Sequence, residues 1–371
     1  MAKTKKTTAA KASRTGGLPA LLSQTGRLDR EIVRLLNERA ALAEKIAKAR
    51  QAEGKPAALP AEEEETLDRV AEWSKGPLPP QALRYVFAQL LSGCRALQRE
   101  LRIAFLGPLY SYSHLAAIAR FGQSVEFAPV GTIAAVFEEV NRGQSHYGLV
   151  PIENSTDGRV ADTLEMFTRL RVRICGEVQL EIHHTLLGKC AQTEIQEVYS
   201  RPQALSQCRN WLAKHLPAAR PIEVTSTSTA AQLAKEKPGA AAIASLQAGL
   251  HYGLNVIAER IEDNTNNTTR FAVIGPESGA KTAHDKTAMM FQVEHRPGAL
   301  AEAMNIFKRN RLNLTWIESF PVFGTKGVYL FFVEMEGHES DPRVRRAVAA
   351  LKRKALRLEI LGSFRAGPVM E

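Results

Sequence analysis

Residues 101–114 read Leu-Arg-Ile-Ala-Phe-Leu-Gly-Pro-Leu-Tyr-Ser-Tyr-Ser-His, and this stretch decides the fold class. Residues 103–106 form a short apolar run of the kind that becomes a buried strand. Gly107-Pro108 closes the strand as a turn, and a helical pattern covers 114–120. The unit recurs. Residues 147–152, 195–200 and 240–245 read as strands, and 133–142, 202–215 and 229–236 as helices. Such alternation predicts α/β layers with mostly parallel strands. Ligands in these folds sit at the carboxyl ends of strands.

On the N-terminal side the texture is helical. Leu28, Ile32, Leu35, Leu36, Leu42, Ala43 and Ile46 have the spacing of one helix face. Gly54-Lys55-Pro56 breaks this helix, and further helices are expected over 61–74, opening with Glu62 to Glu65, and over 81–100. Three helices without a strand make a poor core alone and are expected to pair with a second copy. On the C-terminal side a polar stretch at 277–285 reads as a linker. Strands at 287–293, 312–320, 327–334 and 356–364, with helices at 298–309 and 342–354, give the order βαββαβ, which is ferredoxin-like. The expected division is a basic tail at 1–17, a helical domain at 18–100, an α/β domain at 101–277 and an α+β domain at 286–366.

The 371 residues suit several domains, and 44% hydrophobic with 24% charged residues is a soluble, globular balance. No apolar run reaches the ~20 residues that span a bilayer. The N-terminus lacks the apolar core of a secretory signal. Cys94, Cys175, Cys190 and Cys208 form no C-x-x-C pair and no zinc spacing, so reduced thiols in a cytoplasmic protein are expected. The net charge of +10 is uneven. Lys3, Lys5, Lys6, Lys11 and Arg14 lie in the tail, which reads as disordered. The basic run 343–365 reads as the exposed face of a terminal helix. No nucleic-acid motif accompanies either cluster. A mildly cationic protein suits a small dianionic substrate.

Four polar segments stand out at the ends of predicted strands. They are Gly107 to His114, Pro151-Ile152-Glu153-Asn154-Ser155-Thr156-Asp157-Gly158, Ser200-Arg201-Pro202-Gln203-Ala204-Leu205-Ser206-Gln207-Cys208, and Asn266-Asn267-Thr268-Thr269-Arg270-Phe271. Hydroxyl and amide side chains dominate them, and helix starts offer N–H groups to an anion. One such segment would be a cap or a turn; four together indicate a cleft for a small polar anion. No nucleophile–base pair, metal cluster or phosphate loop is evident.

These segments, in this order, resemble the prephenate dehydratase family, whose markers are a Gly-Pro-x-Gly-Thr/Ser-Tyr/Phe-Ser loop, Pro-Ile-Glu-Asn, Ser-His-Pro-Gln and Thr-Arg-Phe. Thr225 to Ala231 and Tyr252-Gly253-Leu254 extend the match. The resemblance implies a two-lobed, periplasmic-binding-protein-like domain without a cofactor or metal, acting on prephenate. It implies Thr269 as the catalytic hydroxyl, with Asn154, Ser200 and Gln207 as catalytic polar partners. Glu153, Arg270, Ser113 and Thr156 would support or bind substrate. Two departures stand in this chain: Tyr110 replaces a loop glycine, so the loop is expected to differ in shape, and Arg201 replaces a histidine.

The N-terminal helices resemble type II chorismate mutase, through Leu35-Leu36-Asn37-Glu38-Arg39. Arg39 follows Leu28 by eleven residues, three turns to within about 20°, and Arg50 follows by eleven more. The resemblance implies a mutase site of Arg39, Arg50, Glu63 and Gln98. Leu22 and Glu62 stand where that family has arginines, which removes two cations and leaves a dimerisation arm as the alternative. Arg296-Pro297-Gly298-Ala299-Leu300 and Glu318-Ser319-Phe320-Pro321 resemble the regulatory ACT domain that binds phenylalanine at a subunit interface. This implies Gly298, Ala299, Leu300, Glu318 and Ser319 as an effector site in a homodimer or higher homo-oligomer, with Phe320 in place of an arginine. The overall expectation is a bifunctional enzyme architecture with prephenate dehydratase activity. Arogenate dehydratase and a non-catalytic amino-acid-responsive binding protein are the alternatives.

Overall fold

The structure is a computed structural model and describes residues 17–53, 60–98, 101–321, 329–367 and 369–370. The basic tail up to residue 16, the break at Gly54-Lys55-Pro56 and the first residues of the strand expected at 327–334 lie outside them. Two compact units divide at Ala57/Ala58. The first holds α1 (Leu18–Ala52), with a proline in its first turn and Arg50 in its last, as the helix dipole favours. Arg34 bonds Glu31 and Glu38 at 2.8 and 2.5 Å along its surface. The apolar stripe of Leu28, Ile32, Leu35, Leu42 and Ile46 is about half exposed.

The second unit begins with α2 (Pro60–Trp73) and α3 (Pro80–Ala96), a helical hairpin joined by buried ion pairs. Arg84 bonds Glu64 at 2.6 Å and Asp68 at 2.5 Å, and Arg95 bonds Glu63 at 2.5 Å. The chain then runs through β1 (Arg102–Leu106), α4 (Tyr112–Phe121), β2 (Glu126–Val130), α5 (Ile133–Asn141), β3 (Tyr147–Asn154), β4 (Gly158–Arg159), α6 (Ala161–Arg169) and β5 (Arg173–Glu181). Arg120 of α4 reaches Glu64 at 3.2 Å, so the hairpin docks on this layer.

At 182–184 the chain crosses to a second lobe. This comprises β6 (Thr185–Gly188), β7 (Glu197–Ser200), α7 (Pro202–Gln207), α8 (Arg209–His215), β8 (Arg220–Glu223), α9 (Thr227–Glu236), β9 (Ala240–Ala244), α10 (Leu246–Tyr252) and β10 (Asn255–Ala258). The single helix expected over 202–215 is two helices, parted at Cys208. The chain returns through 264–267 into β11 (Thr268–Gly275). Side chains of Ser111, Thr132, Ser226 and Ser245 cap α4, α5, α9 and α10, which is why each helix starts where it does.

The first lobe's sheet has the order β16-β5-β11-β3-β1-β2 with β4 on β3, where β16 is Val369–Met370; the second lobe's order is β10-β6-β9-β7-β8. The expectation of mostly parallel strands is corrected. β11 lies antiparallel to both β3 and β5, and β6 lies antiparallel to β9 and β10. The returning crossover causes this, because a strand that re-enters its sheet from the far lobe runs back along its neighbours.

The C-terminal elements are β12 (Asp285–Gln292), α11 (Ala299–Arg309), β13 (Leu314–Pro321), β14 (Tyr329–Glu336), α12 (Pro342–Lys352) and β15 (Arg357–Arg365). Their antiparallel order β13-β14-β12-β15 is ferredoxin-like. One sheet face packs on α11 and α12 through Phe291, Phe307, Val333 and Leu351. The other shares a core with the first lobe, in which Met290, Phe320, Phe332 and Phe364 meet Val150, Leu164, Phe167 and Ile274. Gly362 marks the closest approach: a Cβ there would lie 2.2 Å from the Ile174 carbonyl oxygen.

Candidate active site

The last residue of β3 and the second of β11 are register partners, Asn154 opposite Thr269. The antiparallel return therefore brings together two segments 115 residues apart. Asn154 Nδ2 donates to Thr269 Oγ1 at 2.8 Å and to Asn267 Oδ1 at 2.9 Å. Asn154 Oδ1 accepts the backbone N–H groups of Thr156 and Asp157 at 2.9 and 3.0 Å. The amide is thus fixed from both ends. Because Thr269 Oγ1 already accepts a hydrogen bond, its own proton is available, and among the described residues no acceptor takes it.

The network continues into the second lobe. Asn267 Nδ2 donates to Gln207 Oε1 at 3.0 Å, and Gln207 Nε2 donates to Asp157 Oδ2 at 3.2 Å across the lobe boundary. His184 Nε2 also meets Gln207 Oε1, at 2.8 Å. An amide oxygen cannot donate, so His184 carries its proton on Nε2. Burial lowers the His184 pKa, although the Gln207 contact opposes this, so the ring is neutral and Nδ1 accepts. Tyr112 Oη lies 2.9 Å from that Nδ1 and 2.8 Å from the His183 carbonyl oxygen, and its single proton serves one of these two acceptors at a time. Burial pushes the Tyr112 phenol well above its usual range, so it stays a donor. Glu262 fixes the histidine pair by accepting from the His184 backbone at 2.9 Å and lying 2.9 Å from His183 Nδ1.

Tyr112 also lines a cleft of about 780 Å³ between the lobes. Its walls include the loop 107–113, Val130-Gly131, Arg201, Thr225 to Thr227, His251 and Tyr252. Tyr110 adopts φ 64°, the left-handed conformation a glycine would take freely. The backbone shape expected to change with this residue is one that glycine also favours. Tyr110 is held by stacking on His251, ring centroids 3.8 Å apart, and by its N–H donating to His114 Nδ1 at 3.0 Å.

Beside Thr269, Arg270 points the other way. Its guanidinium donates to Glu153 at 2.7 Å, to Glu177 at 2.8 Å and to both oxygens of Glu334 at 2.8 and 2.9 Å. Lys286 joins Glu177 at 3.1 Å. Burial would lower the Arg270 pKa, but Glu334 and Glu177 more than offset it, and the net direction is up. Arg270 and Glu153 therefore bind the site's base to β14 and β12. Ser200 is fully buried and donates to the Ile243 carbonyl oxygen at 2.7 Å, away from the amide chain. Thr156 contributes its backbone N–H, and Ser113 lines the cleft. Tyr112, Asp157 and Asn267 stood within the polar segments without a role of their own, and His184 lay outside them. The only signal for the histidine was His183-His184 directly before the apolar run 185–188.

A family model described as prephenate dehydratase matches residues 103–279, and one described as chorismate mutase type II matches 21–99. A bifunctional chorismate mutase/prephenate dehydratase of Aquifex aeolicus (strain VF5) is 40% identical over 352 residues, covering 94% of this chain and 97% of that protein. This chain belongs to the bifunctional chorismate mutase/prephenate dehydratase family. Its counterpart from Stutzerimonas stutzeri is 39% identical over 354 residues, with the same coverage. Among solved structures, a prephenate dehydratase from Arthrobacter aurescens in complex with L-Phe is 31% identical with TM-score 0.67, covering 72% of this chain and 90% of that one. A structure titled as GqqA, a novel type of quorum quenching acylase, is 28% identical with TM-score 0.65, covering 72% and 98%.

The residues implied for the family's other sites fall as follows. Arg39 and Arg50 lie half-buried on α1. Glu63 lies in the first turn of α2, where burial raises its carboxyl pKa against the pull of Arg95, and Gln98 lies just after α3. Gly298 takes φ 82° at the start of α11, which a glycine accommodates without strain, and Ala299 is buried behind it with Leu300 half-buried. Glu318 pairs with Arg159 of β4 at 2.9 Å, and Ser319 is exposed on β13. Among the described residues no group of acidic, histidine or cysteine side chains could hold a metal, and no helix is long and apolar enough to cross a membrane.

Proposed function

We propose that this chain converts prephenate to phenylpyruvate, with Thr269 as the hydroxyl that assists departure of the ring hydroxide. The observation that carries this is the Thr269–Asn154 pair, set on neighbouring strands at the lobe boundary within a chain 40% identical to a bifunctional relative over nearly its whole length. Prephenate bears two carboxylates and a ring hydroxyl. Loss of carbon dioxide with hydroxide aromatises the ring, which drives the reaction. A threonine hydroxyl is too weak an acid to be an efficient proton source near neutrality. A pre-aimed hydrogen bond to the leaving oxygen is the contribution its geometry favours. Asn154 supplies the aim, and Gln207, Asn267 and His184 hold Asn154's neighbours in place. No cofactor enters this scheme.

The test is direct. Purified protein mixed with prephenate should generate the ultraviolet absorbance of phenylpyruvate; unchanged prephenate refutes the reading. Side-by-side rates on prephenate and arogenate settle the substrate.

The C-terminal sheet is proposed as an ACT domain that binds phenylalanine around Gly298, Ala299, Leu300, Glu318 and Ser319 and lowers dehydratase rate. The Arg159–Glu318 pair and the Arg270–Glu334 contacts support it, since the first ties that sheet to β4, which pairs with Asn154's strand, and the second ties it to the strand of Thr269. For residues 18–100 mutase activity is proposed at a reduced rate, because Leu22 and Glu62 stand where cations are expected, and chorismate consumption tests it. The domain limits 1–17, 18–100, 101–277 and 286–366, a homo-oligomeric state and a cytoplasmic location belong to the same proposal.

A further inference from the structure

The cleft between the lobes holds a guanidinium without a counter-ion. Arg201, the exposed residue preceding α7, lines it, and its side chain makes no hydrogen bond or ion pair with any described residue. Two hydroxyls line the same cleft from opposite lobes, Ser113 in the first turn of α4 and Thr227 in the first turn of α9. Their residues are only 8% and 5% exposed, yet neither side chain has a hydrogen-bond partner among the described residues. Neither hydroxyl is sealed from solvent, so both open onto the cleft, where a ligand oxygen can take the place of water as their partner. Their neighbours Ser111 and Ser226 are not free in this sense, since both are spent capping the helices. Both helices direct backbone N–H groups toward the cleft end, where they favour negative charge.

We infer that Arg201, Ser113 and Thr227 form a carboxylate subsite that grips the carboxylate of the substrate's pyruvyl side chain, with Arg201 setting affinity. This rests on the dehydratase reading for the identity of the substrate. In that reaction the bond from the ring to its carboxylate breaks and its electron pair enters the ring. The ring C–O bond breaks in turn, and its pair leaves with hydroxide, which takes a proton to become water. A guanidinium on the ring carboxylate would hold the charge that must be given up as carbon dioxide. The side-chain carboxylate keeps its charge throughout, so a fixed cation serves it equally in ground and transition states. Such uniform binding lowers KM and leaves kcat alone. Arginine suits the task because its fork meets both carboxylate oxygens and never loses its charge.

Steady-state kinetics on Arg201→Ala should show KM for prephenate raised roughly ten- to hundredfold, the range for losing a charged hydrogen bond, with kcat within about twofold. Phenylpyruvate keeps only the side-chain carboxylate, so its calorimetric Kd should weaken by the same factor. Arg201→Lys should lie between wild type and Ala, because it keeps the charge without the fork. Ser113→Ala with Thr227→Val should weaken phenylpyruvate binding severalfold. KM and Kd unchanged in Arg201→Ala would overturn the subsite, as would a fall in kcat at constant KM, which would put Arg201 at the reacting ring. Should Arg201→Ala not fold, Arg201→Lys with an unchanged phenylpyruvate Kd overturns it. Wild-type protein that binds phenylpyruvate but leaves prephenate intact removes the dehydratase reading alone.

Discussion

Replacing Thr269 by valine keeps the β-branched shape and deletes only the hydroxyl. Two consequences follow from the geometry. Asn154 Nδ2 donates one proton to Thr269 and one to Asn267, so the variant leaves one N–H of a half-buried amide unpaired. That should cost about 1–3 kcal/mol of stability. The second consequence is catalytic. Removing one pre-aimed donor from a developing oxyanion costs about 2.7–4 kcal/mol, or 10²–10³ in kcat. Binding of phenylpyruvate, which lacks the leaving oxygen, should change little. Urea unfolding measures the first effect, and initial rates of phenylpyruvate formation at saturating prephenate measure the second. Thr269→Ser restores the hydroxyl and should recover most of kcat. A valine variant with kcat within about threefold of wild type refutes the role of Thr269. A variant with KM raised and kcat retained shows that the hydroxyl only binds.

Arg270→Met would leave Glu153, Glu177 and Glu334 facing one another with Lys286 as the remaining cation. Urea denaturation should register a loss of about 3–5 kcal/mol, and a loss under 1 kcal/mol would contradict the packing described. Phe320→Arg restores the residue of the resembled ACT motif, but Phe320 is buried in the core shared with the first lobe, 6.2 Å from the Phe332 ring. It should lower the thermal midpoint by several degrees; an unchanged midpoint would show that the strand can turn this side chain outward. Burial lowers the His114 pKa to about 4, against 6.5 for a free imidazole. Between these values the unfolded chain binds the extra proton, so stability should rise with pH from about 4 to 6.5 and fall on acidification. Urea midpoints at pH 5 and 7 test this, and His114→Asn should flatten the difference.

Part of this molecule could be read from residue order alone. The strands at 102–106 and 147–154 and the helices behind them announce themselves as apolar runs and Ser- or Thr-capped starts. The βαββαβ order of the C-terminal part was legible for the same reason, because period and turn chemistry are local. Thr269, Asn154 and Gln207 were legible through resemblance, and the structure joins them in one network through Asn267. Other features were hidden. Strand β5 interleaves polar with apolar residues, and strand β11 opens on Thr268-Thr269-Arg270, so only its second half, Phe271 to Ile274, is an apolar run. Ser200 looked like a site hydroxyl, yet its bond to Ile243 depends on which strand lies beside β7.

The sequence by itself determined the α/β body, the helical arm and the polar segments, because these follow from the spacing of apolar, capping and turn residues along a continuous stretch. Only the tertiary structure decided the antiparallel return of β11 that sets Thr269 against Asn154, since register is a relation between distant strands. It likewise decided the enlistment of His184 and Tyr112, the tie from Arg270 to the C-terminal sheet and the unpaired Arg201 in the cleft. The first three are partnerships across 20 to more than 100 residues, and what a polar side chain does depends on the neighbour that folding delivers, or withholds.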